Sequence, residues 1–106
     1  MLARNVEDLR AALDADGGFY HEFLRVPAMS AGFYRLAAGA TDAQSPHAED
    51  EIYVVLRGRA WITVGDEMQA VGPGDVVYVA ATMPHRFHDI AEDVEVLVVF
   101  APPETR

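Results

Sequence analysis

The sequence contains no cysteine, which excludes disulfides, thiolate nucleophiles, iron–sulfur clusters and cysteine-based zinc sites. Lysine is missing too, and all eight basic residues are arginines. Without a lysine amine no side-chain Schiff base can form, so covalent pyridoxal phosphate chemistry is excluded. Serine occurs only at Ser30 and Ser45, neither within a G-x-S-x-G nucleophile turn. There is no G-x-G-x-x-G loop, no Walker loop and no internal repeat. No apolar run approaches the ~20 residues needed to span a bilayer, so no membrane partner is expected. The opening "MLARNVEDLR" lacks the basic and apolar regions of a signal peptide, and a cytoplasmic location is expected.

Positive charge is scarce, with a formal net charge of −9. Scattered arginines supply no phosphate-binding patch, so no nucleic-acid partner is expected. The acidity itself is read as solubility. A length of 106 residues corresponds to one domain, 1–106, able to bury a core. The apolar fraction of 51% is high for so small a domain. Some of that surface is expected to be covered by a partner subunit, and a twofold homodimer is the commonest arrangement.

One helix is expected within residues 1–17. Asn5 can cap it, Asp8 stands three residues on as in a capping box, and Val6, Leu9 and Leu13 share a face. Gly17 and Gly18 end it. Every later segment reads as β: 19–26, 30–36, 51–57, 60–64, 68–71, 75–80, 85–90 and 94–101 are rich in Val, Ile, Phe, Tyr and Trp, with turn residues between. Seven or eight short strands at roughly ten-residue spacing, without crossover helices, predict an all-β antiparallel sandwich or small barrel. The closing "APPETR" is expected to fray.

Within "QSPHAEDEIYVVLRG" His47 stands four residues before Glu51. Pro46 before and the strand-like "IYVVL" after disfavour a helix, so "AED" at 48–50 is expected to bend His47 back towards Glu51. Taken alone, such a pair reads as a solvated ion pair. A third donor can come from "MPHRFHD", where His85 and His88 point to opposite faces of a strand and only one can join the site. Two histidines and a carboxylate on a β scaffold are a ligand set for Fe, Mn, Ni or Zn.

These residues resemble the cupin superfamily. Its first motif is G-x5-H-x-H-x(3,4)-E-x6-G, its second G-x5-P-x-G-x2-H-x3-N. Gly39, His47, Glu51 and Gly58 match the first motif over 39–58, with Ser45 at the first histidine position. Gly74 and His85 match the second over 74–89, with Ala80 for Pro, Thr82 for Gly and Asp89 for Asn. The likeness is to small single-domain bacterial cupins. It implies a jelly-roll barrel holding one divalent transition metal through His47, Glu51 and His85. Because Ser45 is no ligand equivalent, three outcomes are open: a three-ligand set, which is favoured, Gln44 filling the gap, or a pocket without metal. A hydrogen bond between His85 and Glu51 would also account for that pair without metal.

Alternation along the strands places Tyr53 and Val55 inward with Glu51, and Phe87 inward with His85, as pocket walls. Asp50 is expected to be solvated and His88 to face outward, and His21 has no evident partner. Tyr34, Phe33 and Trp61 are candidates for the lining, with the core or a dimer interface favoured. A small-molecule ligand is expected, not a strongly anionic one unless Arg35 or Arg57 turns inward. The favoured expectation is a metal-dependent enzyme on a small organic substrate, of dioxygenase, isomerase or lyase type. The alternative is a non-enzymatic binding or sensor module, with or without metal, or a stable barrel whose site has lost its role.

Overall fold

The computed structural model describes residues 1–43 and 45–105. Its one helix, α1 (Val6–Asp16), begins at the predicted Asn5 cap, where Asn5 and Asp8 form the capping box, and ends at Gly17 with φ +69°. Six strands follow: β1 (Tyr20–Val26), β2 (Met29–Leu36), β3 (Asp50–Val64), β4 (Glu67–Val71), β5 (Val76–Val79) and β6 (His85–Ala101). All pair antiparallel, in the order β1-β2-β6-β3-β4 with β5 on the free edge of β3. Among the described residues no helix is long and apolar enough to cross a membrane.

The strand count differs from the expected seven or eight for a physical reason. Segments 51–57 and 60–64 are one continuous strand, as are 85–90 and 94–101. The pairing of β3 with β6 shifts register three times between Val55 and Trp61. Such irregularities bend a strand without ending it, so the first half of β3 pairs β5 and the second half pairs β4. Gly58 sits in the bend at φ +91°, and a Cβ there would collide with the backbone of Asp93 and Val94. Only glycine satisfies both conditions, so the residue read as a turn is a hinge inside a strand.

Two cores result from the two faces of the sheet. The inner one holds Tyr34, Tyr53, Val55, Ile62, Phe87, Val96, Val98 and Phe100. Tyr53 and Phe87 meet edge to face with centroids 5.0 Å apart, a contact worth about 1 kcal/mol beyond area burial. The outer one packs Leu9 and Leu13 of α1 on Phe33. Beside it Glu95 is pinned by Arg10 at 2.7 Å and Arg35 at 3.0 Å. Burial alone would raise the Glu95 carboxyl, but the two guanidiniums outweigh it and hold it below the ordinary carboxylate range. α1 thereby closes one face, and the other encloses the site.

Candidate metal centre and ligand cavity

Each of the three expected donors is placed by a different local constraint. Glu51, second in β3, points inward by strand alternation and is 2% exposed. Its neighbour Asp50 is exposed as expected, yet it also accepts the Ala81 N–H at 2.7 Å, which ties the start of β3 to the turn after β5. His85 opens β6 and is buried. His47 lies in the loop before β3, where Ala48 and Glu49 form the expected bend. Its carbonyl accepts the Thr82 N–H at 2.7 Å. Thr82, at the glycine position of the second motif, still adopts φ +66°, which is strained for a β-branched residue.

Donor atoms of His47, Glu51 and His85 all lie within 4.8 Å of one another. Ligands at ~2.0–2.2 Å from one ion stand up to roughly 4.4 Å apart, so a movement of about half an ångström would bring all three donors onto one ion. The electrostatics of the cluster agree. His85 Nε2 is 2.7 Å from Glu51 Oε1, with each side chain 1% exposed. Close as they are, these atoms lack hydrogen-bond geometry, and among the described residues neither Glu51 oxygen nor His85 Nε2 has a hydrogen-bond partner.

The other imidazole nitrogen explains why. His85 Nδ1 is 2.9 Å from the Met83 carbonyl, and a carbonyl only accepts, so Nδ1 carries a proton. In the neutral ring Nε2 is then a lone pair aimed at a carboxylate. Buried and this close, the two require positive charge between them, either a second proton or a metal cation. Burial, the largest influence on His85, disfavours the imidazolium. Glu51, the Met83 carbonyl and Asp42 outweigh it, and the net direction is upward. The residues present fit a divalent cation.

A cavity of about 280 Å³ opens beside the cluster. Phe19, Tyr20, Tyr34, Tyr53, Val98 and Phe100 wall it, and His47 and Glu104 add an imidazole and a carboxylate. His47 packs edge-on against Phe100 at 5.0 Å. Tyr34 donates its phenol to Asp42 at 3.0 Å, and Asp42 accepts the Phe87 N–H at 2.9 Å. Burial, then the Asp42 charge, push the Tyr34 phenol upward, so it stays protonated. Of the expected walls, Tyr53 lines the cavity, whereas Val55 and Phe87 face the same interior but fill it as core. Tyr34 proves to be a wall, Phe33 lies under α1, and Trp61 is exposed.

Several other expectations are corrected here. The segment expected to fray is docked through Thr105. Arg25 donates to the Glu104 carbonyl at 2.6 Å, the Glu104 N–H donates to Ser30 Oγ at 2.9 Å, and Thr105 donates to the Glu49 carboxylate. Glu104 Oε2 is consequently 3.6 Å from His47 Nδ1. Burial raises the Glu104 carboxyl, His47 opposes this, and Glu49 and Glu51 add to it. No sequence signal pointed to Glu104, whose place depends on where β6 ends.

His88 is not simply outward: Thr63 Oγ1 and Asp89 Oδ2 each lie 2.7 Å from its ring nitrogens, and it stays apart from the cluster. His21 has a partner in Asp16 at 3.6 Å. Arg35 and Arg57 face Glu95, so neither reaches the cavity. Ser45 is exposed. Gln44 lies outside the described residues.

The profile of the cupin domain family matches residues 32–100, a span containing both motifs and all three donors. The chain belongs to the cupin family. An uncharacterized Streptomyces coelicolor protein is 53% identical to this cupin over 105 residues, covering 99% of this chain and 100% of that one. The solved structure of TT1209 from Thermus thermophilus superposes with a TM-score of 0.75 at 25% identity, covering 97% and 99% of the two chains. A double-stranded β-helix cupin of Methanocaldococcus jannaschii gives a TM-score of 0.70 at 18% identity, with 78% of each chain covered. That second likeness shows the jelly-roll fold alone.

Proposed function

We propose that this cupin is a metal-dependent enzyme acting on a small, apolar organic molecule that is not strongly anionic. One observation carries the reading: His47 belongs both to the His–Glu–His cluster and to the lining of the aromatic cavity. A molecule in that cavity would lie against the metal position. His47, Glu51 and His85 would hold one divalent transition metal, Fe, Mn, Ni or Zn by the chemistry of the donor set. Such an ion would supply Lewis-acid polarisation of a carbonyl or enolate or, if redox-active, activation of dioxygen.

The protein's own residues account for the rest. Tyr53, Phe100 and Tyr34 exclude water from the cavity and offer ring faces to an apolar or aromatic substrate. Asp42 fixes the Tyr34 hydroxyl and so sets the shape of that wall. Met83 holds the proton of His85 on Nδ1 and leaves Nε2 for the cluster. Among the described residues the cavity lining includes no arginine, and the Glu51 and Glu104 charges together would balance a divalent ion, so the site offers no excess positive charge to a strongly anionic ligand.

The test is elemental analysis of the purified protein beside His47→Ala and His85→Ala. About one transition metal per chain, lost in both variants, is expected. Metal-dependent turnover is then sought among small aromatic and carbonyl compounds. Saturable binding without turnover in the loaded protein would sink the enzymatic reading. Unchanged metal content in the variants would sink the ligand assignment.

A further inference from the structure

Among the described residues Glu104 is the carboxylate of the cavity lining, and it lies outside both motifs. Its backbone is clamped on both sides, by Arg25 on the carbonyl and Ser30 on the N–H. The anchoring is specific, since Ser30 is fully buried in β2 and Arg25 is fixed to Glu22 by a 3.1 Å contact. These contacts aim the side chain into the cavity, where its Oε2 lies 3.6 Å from His47 Nδ1. His85 has its Nδ1 proton held by Met83, whereas His47 sits in a loop outside the strands.

Resting on the metal-centre reading above, we propose that Glu104 is a positioning residue of that centre. Its carboxylate holds the proton of His47 on Nδ1, so that Nε2 is the nitrogen available to the metal. A cation on Nε2 polarises the Nδ1–H bond and strengthens its attraction to the carboxylate. The gap to a charge-assisted hydrogen bond is under ~1 Å. A carboxylate behind a ligating histidine fixes its ring and raises its basicity. The segment after β6 thus becomes part of the site, orienting a histidine that is carried by a loop.

The test is a titration of metal-free protein with Co²⁺, read by visible absorption, for wild type, Glu104→Gln and Glu104→Ala. Circular dichroism monitors the fold. Glu104→Ala is expected to weaken Co²⁺ binding by ~10–100-fold and to shift the absorption bands. Glu104→Gln keeps an oxygen that accepts from Nδ1–H but loses the charge, so it should fall between the two. A role confined to anchoring the segment would lower the melting temperature and leave the Co²⁺ spectrum unchanged. Unchanged affinity and spectrum in Glu104→Ala would overturn the proposal. If that variant does not fold, the same result in Glu104→Gln overturns it. A wild type that binds no Co²⁺ overturns the metal centre along with it, whereas a wild type that binds while the variants match it overturns this inference alone.

Discussion

Glu51→Gln should make the metal-free protein more stable while destroying its response to metal. In the wild type both Glu51 oxygens and His85 Nε2 are buried without a hydrogen bond from any described residue, and each such atom costs about 1–3 kcal/mol. A glutamine has nearly the same shape, and its amide N–H can donate to the His85 lone pair that the Met83 contact leaves on Nε2. Two of the three orphaned atoms are then either satisfied or no longer acceptors, and the buried charge is gone. Some attraction within the pair is lost in exchange. Breaking a buried ion pair is costly when it strands a charge, but His85 can be neutral beside the new amide. The change therefore resembles replacing the whole pair, often stabilising by ~1–4 kcal/mol, and a net gain of about 2 kcal/mol is expected here. For a domain of this size that raises the melting temperature by roughly 8–15 °C. The assay is thermal unfolding at pH 8 with chelator, repeated with saturating metal. Metal at a hundred times its Kd should add about 2.7 kcal/mol to the wild type and nothing to the variant. A metal-free Glu51→Gln that melts at or below metal-free wild type would refute the reasoning, because the native cluster would then be a self-sufficient ion pair.

Two further outcomes follow from the outer face of the sheet. Glu95→Gln leaves Arg10 and Arg35 without their shared carboxylate and should cost about 3 kcal/mol, the low end for a buried pair because both guanidiniums keep some solvent contact. The Glu95 carboxyl is depressed in the folded state, so its contribution is present above the ordinary carboxylate range and lost as pH falls through the folded value. Urea melts from pH 7 to pH 3 should show that slope in wild type and a flatter one in the variant. We also expect a homodimer, because Ile52, Val76 and Tyr78 leave an apolar patch exposed on paired strands β3 and β5. Light scattering should give twice 11.6 kDa, and Tyr78→Glu should halve it. A wild-type monomer at micromolar concentration would overturn that expectation.

Local chemistry settled much of this protein before any tertiary contact entered. Asn5 and Gly17 bound α1 because capping is a property of a few adjacent residues. Period-two alternation put Glu51 and Tyr53 inside and Asp50 outside. The motif spacing brought His47, Glu51 and His85 together from three separate segments. Other features depended on distance along the chain. Gly58 reads as a turn by composition, and only the crossing backbone at Asp93 makes it a hinge within one strand. Phe87 alternates inward just as Tyr53 does, but packing density decides that one is core and the other a wall. The closing segment reads as a loose tail, since Pro, Glu and Thr carry no periodic signal. Its docking depends on Arg25, Ser30 and Glu49, residues 56 to 79 positions away whose placement exists only once β1, β2 and β3 are assembled. The sequence by itself determined the cupin barrel and the His–Glu–His cluster, because both are written in short-range patterns. Tertiary structure alone decided which side chains enclose the cavity and which carboxylate stands behind His47, because those contacts join segments that share no local code.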